Sequence, residues 1–382
     1  MKIACVAGET SGDLLAAAVL HGLKQSPFTE PLELFGIGGP AMQAQGLEAF
    51  WTIDALSVRG YVEVLNALPR LLWMRHQLKQ KIIMRRPNLF LGVDAPDFNL
   101  GLERGLKRAG IKTAHFISPS VWAWRSERLK HIGKAVDHML LVFPMEKKIY
   151  AEAGIPATFV GHPMADEIAL QPDVEGARKT LGIASQAVVI ALLPGSRKSE
   201  IQFLVPPFLD TAKLIHQSRR EVQFLMPAAN AQLKVLIEAK IRQANLPSEM
   251  NLRVLDGQSR LSVEACNTAL VASGTATLET ALLKKPMVIA YKMPRISYMR
   301  MRDMAYLPYV GLPNILGGGW IVPEFIQENA LPKPMAQALL KQLDSPSFQS
   351  EIADRFLALH LSLRQGCAQK SAAKLRELAE QK

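Results

Sequence analysis

The chain has 382 residues, enough for two domains of roughly 150 to 200 residues each. Hydrophobic residues make up 49% of the chain and charged residues 21%, which excludes intrinsic disorder as its ordinary state. The formal net charge of +11 indicates an anionic partner, but charge alone does not choose among nucleic acid, phospholipid and a phosphorylated substrate.

Six apolar runs separated by helical stretches predict a parallel β-sheet in residues 1–170. Continuous rather than alternating apolarity is typical of strands buried on both faces of such a sheet. The first run lies at the N-terminus and predicts a strand rather than a signal peptide. The runs are KIACVA, ELFGIG, NLFLGVD, KTAHFI, HMLLVF and ATFVG. We predict an N-terminal Rossmann-like domain over these residues.

Five further runs predict a second Rossmann-like domain over residues 171–344, after a polar, proline-containing stretch at 171–173. They are AVVIALLP, EVQFLMPA, NLRVLD, TALVAS and PMVIAY. Residues 345–382 carry no strand signal, and we predict helices there that pack on the N-terminal domain or on a partner subunit. An α/β chain with two nucleotide-type domains predicts a ligand in the cleft between them, outside the carboxyl ends of the strands.

The segment GETSGD follows the first predicted strand and opens the first predicted helix. Its small residues, among them Ser11 and Gly12, permit close approach of a ligand to backbone amides. A tight turn with Ser11 or Thr10 as helix N-cap explains the segment equally well. Glu9 has no evident structural task at this turn, so we predict a functional carboxylate there.

The apolar stretch YVEVLNALPRLLWM, which contains Val64, Leu68 and Leu72, is followed by basic residues. This amphipathic basic pattern is typical of a membrane interface or an acyl-chain groove. A buried helix is an equally good explanation. No uninterrupted apolar run approaches the roughly 18 to 20 residues needed to cross a bilayer, so we expect peripheral membrane contact at most.

The segment GVDAPDFN ends an internal strand and places Asp94 and Asp97 at the carboxyl edge of the sheet. Two carboxylates there suit general acid or base catalysis. The structural alternative is that Asp97 caps the next helix while Asp94 is merely solvated. The sequence favours a functional Asp94, and we predict that Asp97 contacts the acceptor.

The segment SPSVWAWR follows another strand and groups Trp122, Trp124 and Arg125 beside the same edge. Two indoles with a guanidinium suit a sugar or an acyl chain. Tryptophans two residues apart also clamp a loop onto a core, and the sequence does not choose between the two.

In the second domain, LLPGSRKSE follows the first strand and combines Gly195, Ser196 and Arg197. Backbone amides with a guanidinium match a pyrophosphate, whose negative charge grows as it departs. A basic, solvated turn is the weaker alternative.

The segment ASGTATLET runs from a strand into a helix whose first amides, at Ser273, Gly274 and Thr275, suit a phosphate. The Glu279 carboxylate lies about one turn further on, where it can accept two ribose hydroxyl hydrogen bonds. Asn314 is predicted in a later loop, where its amide would reach the ligand or form a turn.

No metal and no cofactor are predicted. No pair of histidines has metal-ligand spacing, and His162 is predicted to cap backbone in a turn. The cysteines at positions 5, 266 and 367 are too few and too scattered for a disulfide framework, as in a cytoplasmic protein.

Six motifs in this order resemble the lipid-A-disaccharide synthase family, a GT-B family classed as glycosyltransferase family 19, across nearly the full chain. The motifs are GETSGD, GVDAPDFN, SPSVWAWR, VGHPMAD, LLPGSR and ASGTATLE. The resemblance implies an inverting, metal-independent transfer of 2,3-diacylglucosamine from its UDP derivative to the 6-hydroxyl of 2,3-diacylglucosamine 1-phosphate. The implied products are the β-1,6-linked lipid A disaccharide monophosphate and UDP. The resemblance also implies a peripheral enzyme on the cytoplasmic face of the inner membrane, and a homodimer with exchanged C-terminal segments.

The resemblance also assigns residue roles, motif by motif. Asp94 matches the family's essential carboxylate, Arg197 its essential arginine, and Glu9 the acidic residue of the first loop. Glu279 and Asn314 match nucleotide-side positions. The resemblance thus implies that the first domain binds the acceptor and the second domain binds the UDP-sugar. In an inverting transfer, one group removes the acceptor proton while cationic groups stabilise the departing UDP.

Two other functions stay open at this point. A UDP-N-acetylglucosamine 2-epimerase, or another GT-B transferase, would share the nucleotide half and lack a lipid-facing apolar segment. A nucleic-acid-binding protein would use the positive charge, but the basic residues are dispersed and form no recognised binding module. We therefore predict no nucleic-acid partner.

Overall fold

A computed structural model describes residues 1–25, 31–56, 61–122, 127–295, 298–299 and 307–381, with the backbone alone for Thr10 and 61–67. The chain divides into two compact units, Met1–Asp166 with Ser362–Lys382, and Glu167–Leu361. Each unit is built on one β-sheet whose paired strands are all parallel.

The first sheet has seven strands among the described residues, in the order β3-β2-β1-β4-β5-β6-β7. Its central strands are apolar and fully buried because helices cover both faces of the sheet. The strands are β1 (Lys2–Ala7), β2 (Glu33–Ile37), β3 (Leu47–Trp51), β4 (Leu89–Val93), β5 (Lys112–Phe116), β6 (His138–Leu141) and β7 (Ala157–Phe159).

Helices of the first unit follow the strands in the βαβ pattern that parallel sheets require. Most of them turn an apolar face to the sheet, and α3 is the longest at 25 residues. They are α1 (Thr10–Gln25), α2 (Pro40–Ala44), α3 (Tyr61–Arg85), α4 (Pro96–Lys107), α5 (Arg128–Ala135), α6 (Glu146–Glu152) and α7 (Pro163–Glu167). A short 3-10 helix spans Ile53–Ala55.

The second sheet has six described strands in the order β10-β9-β8-β11-β12-β13. They are β8 (Val189–Leu193), β9 (Gln223–Ala228), β10 (Leu252–Asp256), β11 (Thr268–Ala272), β12 (Met287–Tyr291) and β13 (Glu324–Ile326). A core of apolar side chains from β8, β9 and β11 packs against helices on the sheet's face.

The helices that accompany the second sheet are α8 (Val174–Leu181), α9 (Lys198–Ser218), α10 (Ala231–Gln243), α11 (Ser259–Ala265), α12 (Thr275–Leu282), α13 (Leu312–Gly317) and α14 (Pro332–Leu343). A 3-10 helix spans Gln327–Asn329. The last two helices are α15 (Pro346–Leu363) and α16 (Cys367–Glu380).

The final helix, α16, belongs to the first unit and packs on α1. Leu375 and Leu378 join the core formed by β1, β4 and α1. The Asp166 carboxylate accepts hydrogen bonds from the backbone amides of Gly366 (3.0 Å) and Cys367 (2.5 Å), which caps the start of α16. Residues far apart in sequence therefore complete one core.

The predicted α/β architecture of two Rossmann-like domains is confirmed. Each of the eleven predicted apolar runs contains a strand. Two strands, β3 and β13, are not among those runs, and both are sheet edges. Most of their residues are partly exposed, so neither shows the continuous apolarity of a strand buried on both faces.

Candidate active site

Two of the predicted motifs meet at one point of the first sheet. β1 and β4 are neighbours there, and chain order reverses between them, which is where open α/β sheets bind ligands. GETSGD follows β1 and GVDAPDFN ends β4. The two loops touch: a Cβ added to Gly8 would lie 2.4 Å from the Cβ of Ala95. A side chain at position 8 would therefore push the loops apart.

The Asp94 loop has an unusual backbone. Asp94 (φ 51°) and Ala95 (φ 44°) both lie in the left-handed region, which costs a non-glycine residue about 1–3 kcal/mol. The Asn99 side-chain amide donates to the Asp94 carbonyl (2.8 Å), and the Asp94 amide donates to the Phe116 carbonyl (3.0 Å). These bonds hold the half-buried Asp94 side chain at the end of β4.

A buried polar pair lies beneath this loop. The His115 ring nitrogen Nδ1 is 2.7 Å from the Glu103 carboxylate, and both side chains are fully buried. Burial raises the pKa of Glu103, and the neighbouring His115 partly opposes that rise. A Cβ at Gly92 would lie 2.1 Å from the Glu103 carboxylate, so a side chain at this position would displace the buried pair.

A pocket of about 290 Å³ opens beside Asp94. Ile117, in its wall, has φ 77°, a rare conformation for a β-branched residue and one that clusters at functional sites. The lining residues are Asp94, Pro96, Ile117, Ser118, Pro119, Ser120, Val121 and Arg128.

Asp97 does not cap α4, because the helix has no side-chain cap hydrogen bond at its start. The Asp97 carboxylate is 91% exposed and lies 3.3 Å from Arg128 Nη2. The structural alternative for Asp97 is therefore wrong. Its predicted contact with the acceptor stays a prediction.

The tryptophan motif is only partly described: Trp124 and Arg125 lie outside the described residues. The Trp122 ring packs edge-on against Phe143 at 6.3 Å between ring centroids. Its indole nitrogen is buried close to Glu146, a carboxyl group that the sequence did not single out. Burial raises the pKa of Glu146 to about 8, so this group is largely protonated at neutral pH.

The residues of the GETSGD segment differ in their exposure and in their hydrogen bonds. Glu9 is exposed, and its predicted function stays a prediction, while Ser11 and Gly12 lie in the first turn of α1. Asp13 has a structural role: it is buried and accepts hydrogen bonds from the amides of residues 39, 41 and 42. It thereby caps α2, a contact across 26 or more residues of sequence.

The second sheet has its own reversal of chain order, between β8 and β11. The Gly195 loop follows β8, and the Ser273 loop follows β11. Gly195 has φ 110°, a conformation that only glycine adopts easily. These predicted nucleotide motifs therefore lie side by side within the second unit.

The amides of Ser196 (2.9 Å) and Arg197 (3.1 Å) already donate to the Glu200 carboxylate, which forms a capping box at the start of α9. The predicted contact of these amides with a pyrophosphate stays a prediction, and it would compete with the capping box. The Arg197 guanidinium is accessible, with 76% of its side chain exposed. A guanidinium at this position can meet a phosphate without breaking the capping box.

The start of α12 is open to solvent. Gly274 and Thr275 are exposed, and no atom lies within 4 Å of a Cβ added at Gly274. The Ser273 hydroxyl donates to the Val310 carbonyl at 3.1 Å. The first amides of a helix have no partner within the helix and attract anions, so this end of α12 suits a phosphate.

Glu279 is held by an arginine that the sequence did not reveal. Arg260 Nε donates to Glu279 Oε1 at 2.9 Å, and Arg260 Nη1 donates to Glu167 Oε1 at 2.6 Å. One Glu279 oxygen is thereby fixed, and the other accepts no hydrogen bond from the residues that the structure describes.

Asn314 lies in helix α13 rather than in a loop, and its side chain is fully buried. Its amide donates to Val322 and Glu324, and its oxygen accepts from the amides of Ile321 and Val322. The side chain therefore fixes the turn that follows α13. A direct nucleotide contact stays a prediction.

No group of three or more His, Cys, Asp or Glu side chains could hold a metal ion within the described part of the chain. His162 Nδ1 accepts from the Met164 amide at 3.2 Å, in agreement with the predicted backbone capping. Burial lowers the His162 pKa to about 4, so the ring is neutral at pH 7.

Helix α3 carries exposed apolar side chains: Leu68 (45%), Leu72 (45%) and Trp73 (59%). Pro69 lies inside the helix, and the Val64 side chain is outside the described residues. For this part of α3 the buried-helix alternative is wrong. Among the described residues, no helix is both long and apolar enough to cross a membrane.

A family model and curated relatives match nearly the full length of the chain. The model of the lipid-A-disaccharide synthetase family matches residues 3–377. The lipid-A-disaccharide synthase of Paraburkholderia phymatum is 49% identical over 373 residues, 97% of this chain and 95% of that protein.

Solved structures share the fold at low identity. The glycotransferase of kitacinnamycin is 14% identical with a TM-score of 0.64, over 99% of this chain and 98% of that one. The UDP-GlcNAc 2-epimerase of Neisseria meningitidis, solved bound to UDP-GlcNAc, is 12% identical with a TM-score of 0.62, over 99% of both chains.

Proposed function

Because the chain belongs to the lipid-A-disaccharide synthase family, we propose that it transfers 2,3-diacylglucosamine from UDP-2,3-diacylglucosamine to 2,3-diacylglucosamine 1-phosphate with inversion. The family is one of glycosyltransferases that make the lipid A disaccharide. The epimerase alternative rests on 12% identity, against 49% identity to a lipid-A-disaccharide synthase.

The observation that supports the reaction most strongly is the position of Asp94. Its carboxylate stands at the reversal point of the first sheet and lines a pocket. In the proposed step, Asp94 removes the proton of the acceptor 6-hydroxyl. The acceptor oxygen bonds to C1 of the donor sugar while the C1–O bond to UDP breaks, and the bonding electrons leave with UDP. One displacement inverts C1 and gives the β-1,6 linkage.

Three groups of the second unit are proposed to bind UDP. The exposed Arg197 guanidinium and the open start of α12 would meet the pyrophosphate, where negative charge grows during departure. The free oxygen of Glu279 would accept hydrogen bonds from the ribose. The epimerase of the same fold was solved with UDP-GlcNAc, which supports a UDP-sugar as the ligand.

The acceptor side is proposed to include the tryptophan motif with Trp122, Trp124 and Arg125, and the exposed Glu9 is proposed to take part in catalysis. The dimer with exchanged C-terminal segments stays a prediction, and in the structure α16 packs on α1 of its own chain. Association with the cytoplasmic face of the inner membrane is proposed on the exposed apolar side chains of α3.

The test of this function is UDP release. The purified protein is expected to release UDP from UDP-2,3-diacylglucosamine only when the acceptor monophosphate is present, and to do so in excess EDTA. An arginine and helix amides, rather than a divalent ion, are proposed to stabilise UDP. Release without an acceptor would identify a hydrolase or epimerase, and turnover that EDTA abolishes and magnesium restores would refute the metal-independent mechanism.

Replacing Leu68 and Leu72 with serine is expected to move the protein from the membrane fraction to the soluble fraction without unfolding it. Both leucines are 45% exposed, so their loss removes interfacial apolar area rather than core packing. The measurement is flotation with anionic phospholipid vesicles, with circular dichroism as the folding control.

The matched control replaces Leu357 (37% exposed) and Leu361 (51% exposed) of α15 with serine. This pair changes the same chemistry on a different helix and should leave vesicle binding unchanged. Equal loss of binding in both double variants would contradict an interface on α3.

Replacing Glu279 with glutamine is expected to weaken UDP binding by roughly 10-fold or more, the loss for a hydrogen bond to a charged group. Because the carboxylate is proposed to bind the ribose hydroxyls, affinity for 2′,3′-dideoxy-UDP should hardly change. Calorimetry with both nucleotides makes the comparison. The control is Glu221→Gln, because Glu221 is an exposed glutamate that also lies in the second unit. An equal loss of affinity for both nucleotides in Glu279→Gln would mean that Glu279 acts through its ion pair with Arg260 and not through the ribose.

A further inference from the structure

The pocket beside Asp94 contains a second charged group. Among the described residues that line it, Arg128 is the one cation and Asp94 the one anion. Arg128 is the first residue of α5, and its side chain is 28% exposed. A carboxylate and a guanidinium therefore face the same space of about 290 Å³, which is enough for one sugar ring with a small substituent.

The charge of Arg128 is only weakly neutralised. Among the described residues its one ion-pair contact joins Nη2 to Asp97 Oδ1 at 3.3 Å, the long end of the range for a charged pair. The Asp97 side chain is 91% exposed, and ion pairs in water contribute at most about 1 kcal/mol. A dianion in the pocket would compete well for this guanidinium.

The surroundings also favour an anion. Arg128 opens helix α5, whose N-terminal end carries the positive end of the helix dipole. The N-cap residue, Glu127, makes no side-chain cap hydrogen bond. Ser120, also in the lining, is exposed and its hydroxyl can donate to a ligand oxygen.

We propose that Arg128 binds the phosphate on C1 of the acceptor sugar and so selects a phosphorylated acceptor. The inference rests on the proposed function. It places the reacting 6-hydroxyl at Asp94 and the phosphate at Arg128, at opposite ends of one sugar in one pocket. Phosphate and guanidinium form paired, charge-assisted hydrogen bonds, and lysine does not reproduce that geometry.

The test compares two short-chain acceptors that differ only in the C1 phosphate. Arg128→Met is expected to lower kcat/KM for the phosphorylated acceptor by about 10- to 100-fold, the usual effect of losing hydrogen bonds to a charged group. It should leave kcat/KM for the acceptor without phosphate unchanged. Arg128→Lys should recover part of the loss, and the exposed Lys130→Met on the same helix should behave as wild type.

Acceptor binding measured by calorimetry in the absence of donor makes the same comparison without turnover. If the wild type binds the phosphorylated acceptor through Arg128 but releases no UDP, the proposed reaction fails and the phosphate site stands. An equal loss for both acceptors, in binding or in kcat/KM, would overturn the proposal and mean that Arg128 supports the start of α4 through Asp97. No loss for either acceptor would place the phosphate elsewhere.

Discussion

Replacing Asp94 with asparagine is expected to lower the single-turnover rate by about 10² to 10⁴ fold, the usual contribution of general-base catalysis, while UDP affinity stays close to wild type. Asparagine suits the test because it tolerates the left-handed backbone that Asp94 adopts at φ 51°. It also preserves the size of the side chain. The variant therefore removes the proton acceptor with little disturbance of the loop.

The measurements are single-turnover rates and UDP affinity by calorimetry, with circular dichroism as the folding control. Near-normal turnover in Asp94→Asn, together with loss of activity in Glu9→Gln, would identify Glu9 as the general base. Loss of UDP affinity in Asp94→Asn would instead assign the carboxylate a role in organising the site.

Replacing Arg197 with alanine should reduce UDP affinity and turnover together. The guanidinium is proposed to touch the pyrophosphate both in the bound state and in the transition state, so its loss affects both. Removal of one such donor lowers kcat on the order of 10² to 10³ fold. The same calorimetric and single-turnover measurements apply.

Arg220→Ala is the matched control for charge, since Arg220 is an exposed arginine beyond the far end of α9. It should bind UDP as the wild type does. If Arg197→Ala lowers turnover but leaves UDP affinity intact, then the arginine acts only in the transition state. The proposed contact between Arg197 and the pyrophosphate of bound UDP would then be wrong.

The sheets could be predicted from sequence because their central strands are buried on both faces and read as unbroken apolar runs. The ends of the predicted strands then gave the positions of the loops where the chain order of each sheet reverses. The loops of Asp94 and Arg197 are among them. The edge strands β3 and β13 were missed because they are half exposed, and a mixed pattern resembles a loop.

The partners of the site residues could not be predicted in the same way. Arg260 reaches Glu279 across 19 residues, and Asp13 reaches the amide of Gly39 across 26. Such contacts depend on how whole elements pack, and no local pattern encodes them. Even the local contact of Glu200 with the Ser196 amide was overlooked, because a capping box and a phosphate-binding turn use the same kinds of residue.

The position of α16 in the first core sets an order of events during synthesis. The Asp166 carboxylate binds an amide 201 residues later, and translation at about 5–20 residues per second takes roughly 10 to 40 s to cover that distance. Throughout that interval the apolar side chains of α1 that α16 covers stay open to water or to a chaperone. The second unit, which is continuous in sequence, can complete its core first. A truncation that removes α16 would therefore spare every proposed site residue and still leave a nascent chain prone to aggregation and proteolysis.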